Sequence, residues 1–287
     1  MNWNFKPHGL AGRRTRLLAS GLCFGSMTAA AAPVAMHFVT KQFPPYVYAD
    51  SNGQAVGPMV ELLFVACAKV SLECSVSVMP WRRAYRMAKI GEADGIFPIV
   101  DSPDGRAEYD LSPDVVRGRY VLLGRSCDRG CDEQLDGTSR TVAAFGPSEA
   151  SRTLQRMVAA MPGAMAQIEP DHQTVVRKLE AGRYGNNGLA LVNDAVARWQ
   201  MSDAGKWRLH EVAVVRAFSY TYAFVRRPGS EGQGQRLSAA INEFCRNGKT
   251  AQIFKPYKLL ATGCQPAGEP RFPSPSNPMR SSYEILR

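Results

Sequence analysis

The chain has 287 residues, of which 45% are hydrophobic and 21% charged, with seven cysteines. That balance supplies enough apolar surface for one large or two modest cores and excludes wholesale disorder, a collagen repeat and a coiled coil. The formal charge is +10, but Lys6, Arg13, Arg14 and Arg16 all fall in the first 32 residues, which hold no acid. The remainder has a mild basic excess that does not demand a polyanion, and no nucleic-acid motif accompanies it.

The N-terminus runs from the basic Arg13-Arg14-Thr15-Arg16 through the apolar Leu17-Leu18-Ala19 stretch to the small residues Ala29 to Ala32. Charged, apolar and small in that order is the pattern of a secretory signal peptide, so residues 1–32 are expected to be a signal peptide and the mature protein periplasmic. The apolar part is too short to span a bilayer, and no later segment is long and apolar enough to anchor in one. In an oxidising compartment the six cysteines beyond Cys23 read as structural disulfides. They fall as Cys67 with Cys74, Cys127 with Cys131, and Cys245 with Cys264, although sequence alone permits fifteen pairings. His37, His172 and His210 show no paired spacing, so neither a metal nor a cofactor is expected.

From Met36 onward, short apolar runs alternate with helical stripes. Residues 36–40 read as a strand, and 46–48 with 54–56 flank the turn Asp50-Ser51-Asn52-Gly53 as a hairpin. Pro58 suits a first helical position, and Met59, Leu62, Leu63, Ala66, Cys67 and Val70 follow at helical spacing. A strand at 75–79, a helix at 81–90 closed by Gly91 and a strand at 95–100 complete a β-α-β-α-β run, which implies a parallel sheet. A second series follows, with strands at 141–145 and 189–192 and helices at 149–161, 174–181 and 194–200. A strand at 218–225 leads into a helix at 233–245. Residues 265–287 hold five prolines and little apolar content and are expected to be a disordered tail.

The order of these motifs resembles the family-3 extracytoplasmic solute-binding proteins, which include periplasmic amino-acid receptors of ABC importers. The resemblance runs from Met36 to about Leu260. It rests on Phe43-Pro44-Pro45-Tyr46, Gly57, Gly91-x-Ala93-Asp94-Gly95, and Arg106 with Leu111-Ser112. Leu179-x-Ala181-Gly182-Arg183, Leu191-Val192-Asn193-Asp194 and Asn247-Gly248-Lys249-Thr250-x3-Phe254 extend it. Cys67-x6-Cys74 also matches a disulfide spacing found in that family. The resemblance implies an α/β, two-lobed type II periplasmic-binding-protein fold with two hinge crossings. Lobe 1 would comprise 33–120 plus 220–264 and lobe 2 would be 121–219, the chain crossing near 119–123 and 215–222. A small-molecule ligand, an amino acid or another carboxylate, would be captured between the lobes by hinge closure. The implied protein is a monomer serving an ABC permease or, as the alternative, a membrane sensor.

The resemblance also implies site residues. Arg106 stands where the family grips a carboxylate, with Asp101 or Asp104 as competing ion-pair partners. Asp194 stands where a ligand ammonium is met, and it also suits a helix N-cap. Phe43, Tyr46 and Trp81 are expected as aromatic walls, with core packing as the competing role. Asp101 falls beside Arg106, and Gly146-Pro147-Ser148 opens a helix after a strand as a candidate source of amide donors to an anion, with a plain helix cap as the competing role. Arg82-Arg83-x-x-Arg86 reads as a solvated basic face, with Arg83 a candidate for an acidic ligand. Two enzyme readings compete. Gly146-x-Ser148-x-Ala150 approximates a nucleophile elbow, followed by Asp194 and His210 in hydrolase order, although Ala150 replaces the second glycine. A dehydratase-like cleft would use Glu149 or Asp101 as its acid.

Overall fold

The computed structural model describes residues 34–125, 140–203, 207–227 and 231–262. The expected signal peptide, the tail, Cys127, Cys131 and Cys264 lie outside the described residues. The chain opens with β1 (Val34–Thr40) and the hairpin β2 (Tyr48–Ala49) and β3 (Ala55–Val56), then α1 (Pro58–Lys69), β4 (Leu72–Val78), α2 (Trp81–Lys89) and β5 (Gly95–Val100). A short α3 (Pro103–Glu108) and β6 (Asp110–Leu111) lead into β7 (Val116–Arg125). The second series is β8 (Arg140–Phe145), α4 (Glu149–Ala159), β9 (Ala164–Glu169), α5 (His172–Glu180), β10 (Leu189–Asn193) and α6 (Asp194–Asp203). The chain then returns along β11 (Leu209–Phe224) to α7 (Glu231–Arg246) and α8 (Lys249–Phe254).

Local chemistry explains the first unit. Asp50 accepts from the backbone N–H groups of Asn52 and Gln54, which closes the hairpin turn. Gly57 precedes α1 at φ +112°, and a Cβ there would lie 2.8 Å from the Tyr46 carbonyl oxygen, so only glycine fits. Pro58 takes the first helical position, and Met59, Leu62, Leu63, Ala66 and Cys67 are buried along one face as their spacing requires. The Cys67–Cys74 disulfide ties that helix to β4, with the two Cα atoms 6.1 Å apart. Cys245 is also disulfide-bonded. In α2, Ala84 and Ala88 are buried one turn apart, and Arg82, Arg83, Arg86 and Lys89 are exposed.

Nine strands join in one sheet, in the order β4-β1-β5-β11-β7-β10-β8-β9, with β6 beside β11. β1 runs parallel to β4 and β5 at one end, and β8 runs parallel to β9 and β10 at the other. The antiparallel pair β7 and β11 connects the two parallel groups. Helices α1 and α7 pack with the first group around Phe38, Leu62, Leu63 and Ile241. Helix α5 packs on the second through Val175, Val176 and Leu179 against Val121, Ala143 and Val192. Ligands in parallel α/β sheets settle outside the carboxyl ends of the strands. Here those ends lead into Lys41, Asp101, Gly146, Pro170 and Asp194, one set from each group.

Several elements differ from the sequence expectation. The return strand extends back from 218 to Leu209, because Leu209–Arg216 is half-exposed and two register shifts against β7 break its alternation. β9 is an exposed edge strand without an apolar stripe, and α3 is too short for a period to register. α5 begins at His172 rather than 174, since Asp171 caps it by accepting from the Thr174 N–H at 2.6 Å. That earlier start brings His172 to the cleft.

Candidate ligand cleft

Two adjoining cavities of about 1040 and 670 Å³ open at the strand ends, and Lys41, Phe43, Trp81, Arg82, Pro147 and His172 line both. They therefore form one cleft with walls from both ends of the sheet. At its centre the Lys41 ammonium faces three rings, with Nζ 4.1 Å from the centre of Phe145, 4.4 Å from Phe43 and 5.1 Å from Trp81. The His172 ring lies between the same two phenylalanines, its centre 5.0 Å from that of Phe43 and 4.6 Å from that of Phe145. Burial lowers the Lys41 ammonium to a pKa of about 7. Burial, reinforced by the Lys41 charge, pushes His172 well below 6.5, so its imidazole is neutral at pH 7. Neither of its ring nitrogens has a hydrogen-bond partner among the described residues.

Phe43 and Trp81 line both cavities. Tyr46 requires a correction. It is fully buried and lines neither cavity, because its ring stacks on Phe43 at 5.2 Å and meets Tyr220 edge-on at 5.1 Å. Its hydroxyl reaches Asn193 across 3.4 Å, which makes it part of the core.

Arg106 and Asp101 are engaged with each other through two parallel hydrogen bonds of 2.7 Å, the geometry in which guanidinium and carboxylate neutralise one another. Asp194 accepts from Arg119 and Arg198, each at 2.9 Å. Arg106, Asp101 and Asp194 line neither cavity. Of the α2 arginines, Arg82 faces the cleft and Arg83 and Arg86 do not.

Ser148 lines the smaller cavity as the N-cap of α4, donating to the Phe145 carbonyl at 2.6 Å and accepting from the Ser151 N–H at 3.3 Å. His210 lies opposite Gly124 on β7, whereas Asn193, beside Asp194, lies opposite Tyr120. Four strand positions of about 3.3 Å put roughly 13 Å between those levels, so Ser148, Asp194 and His210 do not assemble a triad. Glu149 also borders the smaller cavity. Burial alone would raise its carboxyl pKa, but hydrogen bonds from Arg152, Arg156 and Arg216 hold it below the ordinary value. An ionised carboxylate clamped in this way does not serve as a general acid.

Lys41, Phe145, His172, Trp199 and Trp207 are cleft residues that the sequence reading did not single out. The one available signal was Lys41, a lysine directly after an apolar strand and two residues before Phe43.

A family model described as bacterial extracellular solute-binding proteins, family 3, matches residues 37–259. Among solved structures, a histidine kinase sensor domain with similarity to periplasmic binding proteins aligns at TM-score 0.68 and 20% identity, covering 80% of this chain and 99% of that one. The arginine-, lysine-, histidine-binding protein ArtJ from Geobacillus stearothermophilus aligns at TM-score 0.65 and 17% identity, covering 78% and 94%. The ancestral amino acid-binding protein AncCDT-1, a precursor of cyclohexadienyl dehydratase, aligns at TM-score 0.63 and 14% identity, covering 78% and 94%. No curated protein sequence matches the chain. The shared fold is that of type II periplasmic binding proteins.

Proposed function

Because the chain belongs to the family-3 bacterial extracellular solute-binding proteins, we propose that it is a periplasmic receptor that captures a small polar solute in this cleft, for ABC-type uptake. The supporting observation is that Lys41, Phe43 and Trp81 from one end of the sheet and Phe145, His172 and Trp199 from the other line a single cavity. In this reading 33–120 plus 220–264 form one lobe and 121–219 the other, and the crossing strands β7 and β11 carry the hinges. Closure removes the ligand from water, which strengthens every polar contact made to it. Binding rather than catalysis is the proposed role, since Ser148 caps a helix and Glu149 is ion-paired.

The test is a thermal-shift screen of the purified mature protein against amino acids, organic acids and polyamines, followed by small-angle scattering with any hit. A ligand at one hundred times its Kd adds about 2.7 kcal/mol of stability. A melting shift accompanied by a smaller radius of gyration supports capture by closure. A shift without compaction removes the hinge from the proposal. A second reading is sensing, favoured by the likeness to a histidine kinase sensor domain. Uptake of the labelled hit that depends on this protein supports transport, and a transcriptional response without uptake supports sensing.

A further inference from the structure

The polar groups left unpartnered around the larger cavity have one dominant character. Among the described residues, Lys41, Arg82 and Arg177 line it without an ion-pair partner, against a single lining carboxylate, Asp171, which caps α5. The buried indole N–H of Trp207 and both ring nitrogens of His172 also lack partners. Ammonium, guanidinium and indole groups only donate, and Gln200 Oε1 and one His172 nitrogen are the acceptors left over. Buried unpartnered donors such as the Trp207 indole N–H call for a ligand acceptor, whereas the exposed Arg82 and Arg177 contribute positive charge. A ligand ammonium, by contrast, meets carboxylates that already have other work: Glu108 of the smaller cavity accepts from the Tyr85 hydroxyl and Asp171 of the larger caps α5. Asp194 is held by two arginines and Asp101 by Arg106, while Glu149 is clamped by three arginines and Asp104 lies 3.6 Å from Arg152. Beside Gln42 and Gln173, the rest of the wall carries the broad apolar side chains of Trp81, Trp199, Pro44 and Pro80.

We propose that the larger cavity binds the carboxylate of an organic acid that has a flat apolar body and lacks an amino group. Lys41 is its counter-ion, and His172 and Trp207 are its N–H donors. This rests on the receptor reading and narrows its ligand class. Arg82 and Arg177 add positive field at the mouth, and Trp81 and Trp199 cover the apolar body.

The experiment uses three probes of one shape, indole-3-acetate, indole-3-acetamide and tryptamine, titrated calorimetrically into the mature protein with L-arginine alongside. The acid is expected to bind at least tenfold more tightly than the amide or the amine. Lys41→Met should lower its affinity at least tenfold, whereas Lys41→Arg restores it to within a few-fold. Arg83→Met, on the outer face of α2, should leave it unchanged. If Lys41→Met does not fold, the unaltered protein decides. Binding measured in two buffers of different ionisation heat at pH 8 should show proton uptake, and none would overturn the role of Lys41. Equal or tighter binding of tryptamine, the amide or L-arginine overturns the inference and leaves the receptor reading intact. If none of the three probes, L-arginine or any solute of the wider screen binds, the inference falls together with that reading.

Discussion

Removal of the Glu149 carboxylate is the perturbation whose outcome the structure constrains most closely. The side chain is 6% exposed and accepts from Arg152 at 2.8 Å, Arg216 at 2.9 Å and Arg156 at 3.0 Å. Arg216 belongs to the crossing strand β11, so the cluster fastens the start of α4 to it. A fully buried charged hydrogen bond is worth about 1.5–3 kcal/mol, but these guanidinium groups are 31–54% exposed, which discounts each to about 0.5–1 kcal/mol. An acid in the first turn of a helix adds about 0.5 kcal/mol. Glu149→Ala should therefore cost about 2–3.5 kcal/mol, a Tm loss of about 5–12 °C for a domain of this size. Glu149→Gln, which keeps the shape without the charge, should lose about half of that. Since the folded pKa is lowered, the stabilisation is present above the unfolded value near 4.5 and disappears as pH falls through the folded one. Calorimetric melting of wild type and both variants at pH 7 and pH 3 is the assay. A Glu149→Ala Tm within 2 °C of wild type at pH 7, or a Glu149→Gln deficit as large at pH 3 as at pH 7, would refute the reasoning.

Other outcomes follow from single contacts. Cys67→Ser with Cys74→Ser should cost about 2–3 kcal/mol, the loop-closure value for so short a loop, read as a lower denaturation midpoint with unchanged slope. Tyr46→Phe removes the hydroxyl's long contacts with the Asn193 amide, at 3.4 Å to Oδ1 and 3.3 Å from Nδ2, and should shift stability by about 0.5–1 kcal/mol, whereas Tyr46→Ala empties a fully buried site and should cost about 3–5 kcal/mol in the same assay. Gly57→Ala, forced against the Tyr46 carbonyl at positive φ, should destabilise by more than 1 kcal/mol in urea unfolding. Indole-3-acetate affinity should fall as pH rises from 7 to 9, by up to about tenfold per unit, because Lys41 loses its proton above about 7 and must regain it to pair with the carboxylate. The other charged groups lining this cavity are Arg82 of α2 and Asp171 and Arg177 of α5, and His172 is already neutral there. A flat profile by calorimetry would count against Lys41.

Most of the architecture is legible along the chain. The stripe from Met59 to Cys67, the alternation of short apolar strands with helices, Pro58, and the Asp50 turn are local patterns, and each describes what its own few residues do when they fold. Phe43 and Trp81, singled out by their motifs, line the cavities. Elements without a period of their own, such as the exposed edge strand β9, the six residues of α3 and the bulged first half of β11, leave no such trace because their partners, not their side chains, hold them in place.

The site divides along the same line. Sequence by itself established the family pattern and the α/β alternation, since these depend on spacing over a few turns. Tertiary structure decided the charge balance. Lys41 and His172 stand more than a hundred residues apart in the chain and meet only because β1 and α5 face each other across the sheet ends, against Phe43 and Phe145. Whether Arg106 or Asp194 is free to meet a ligand depends on Asp101, Arg119 and Arg198, and Coulomb and hydrogen-bond energies are set by distances of a few ångströms that no one-dimensional pattern contains.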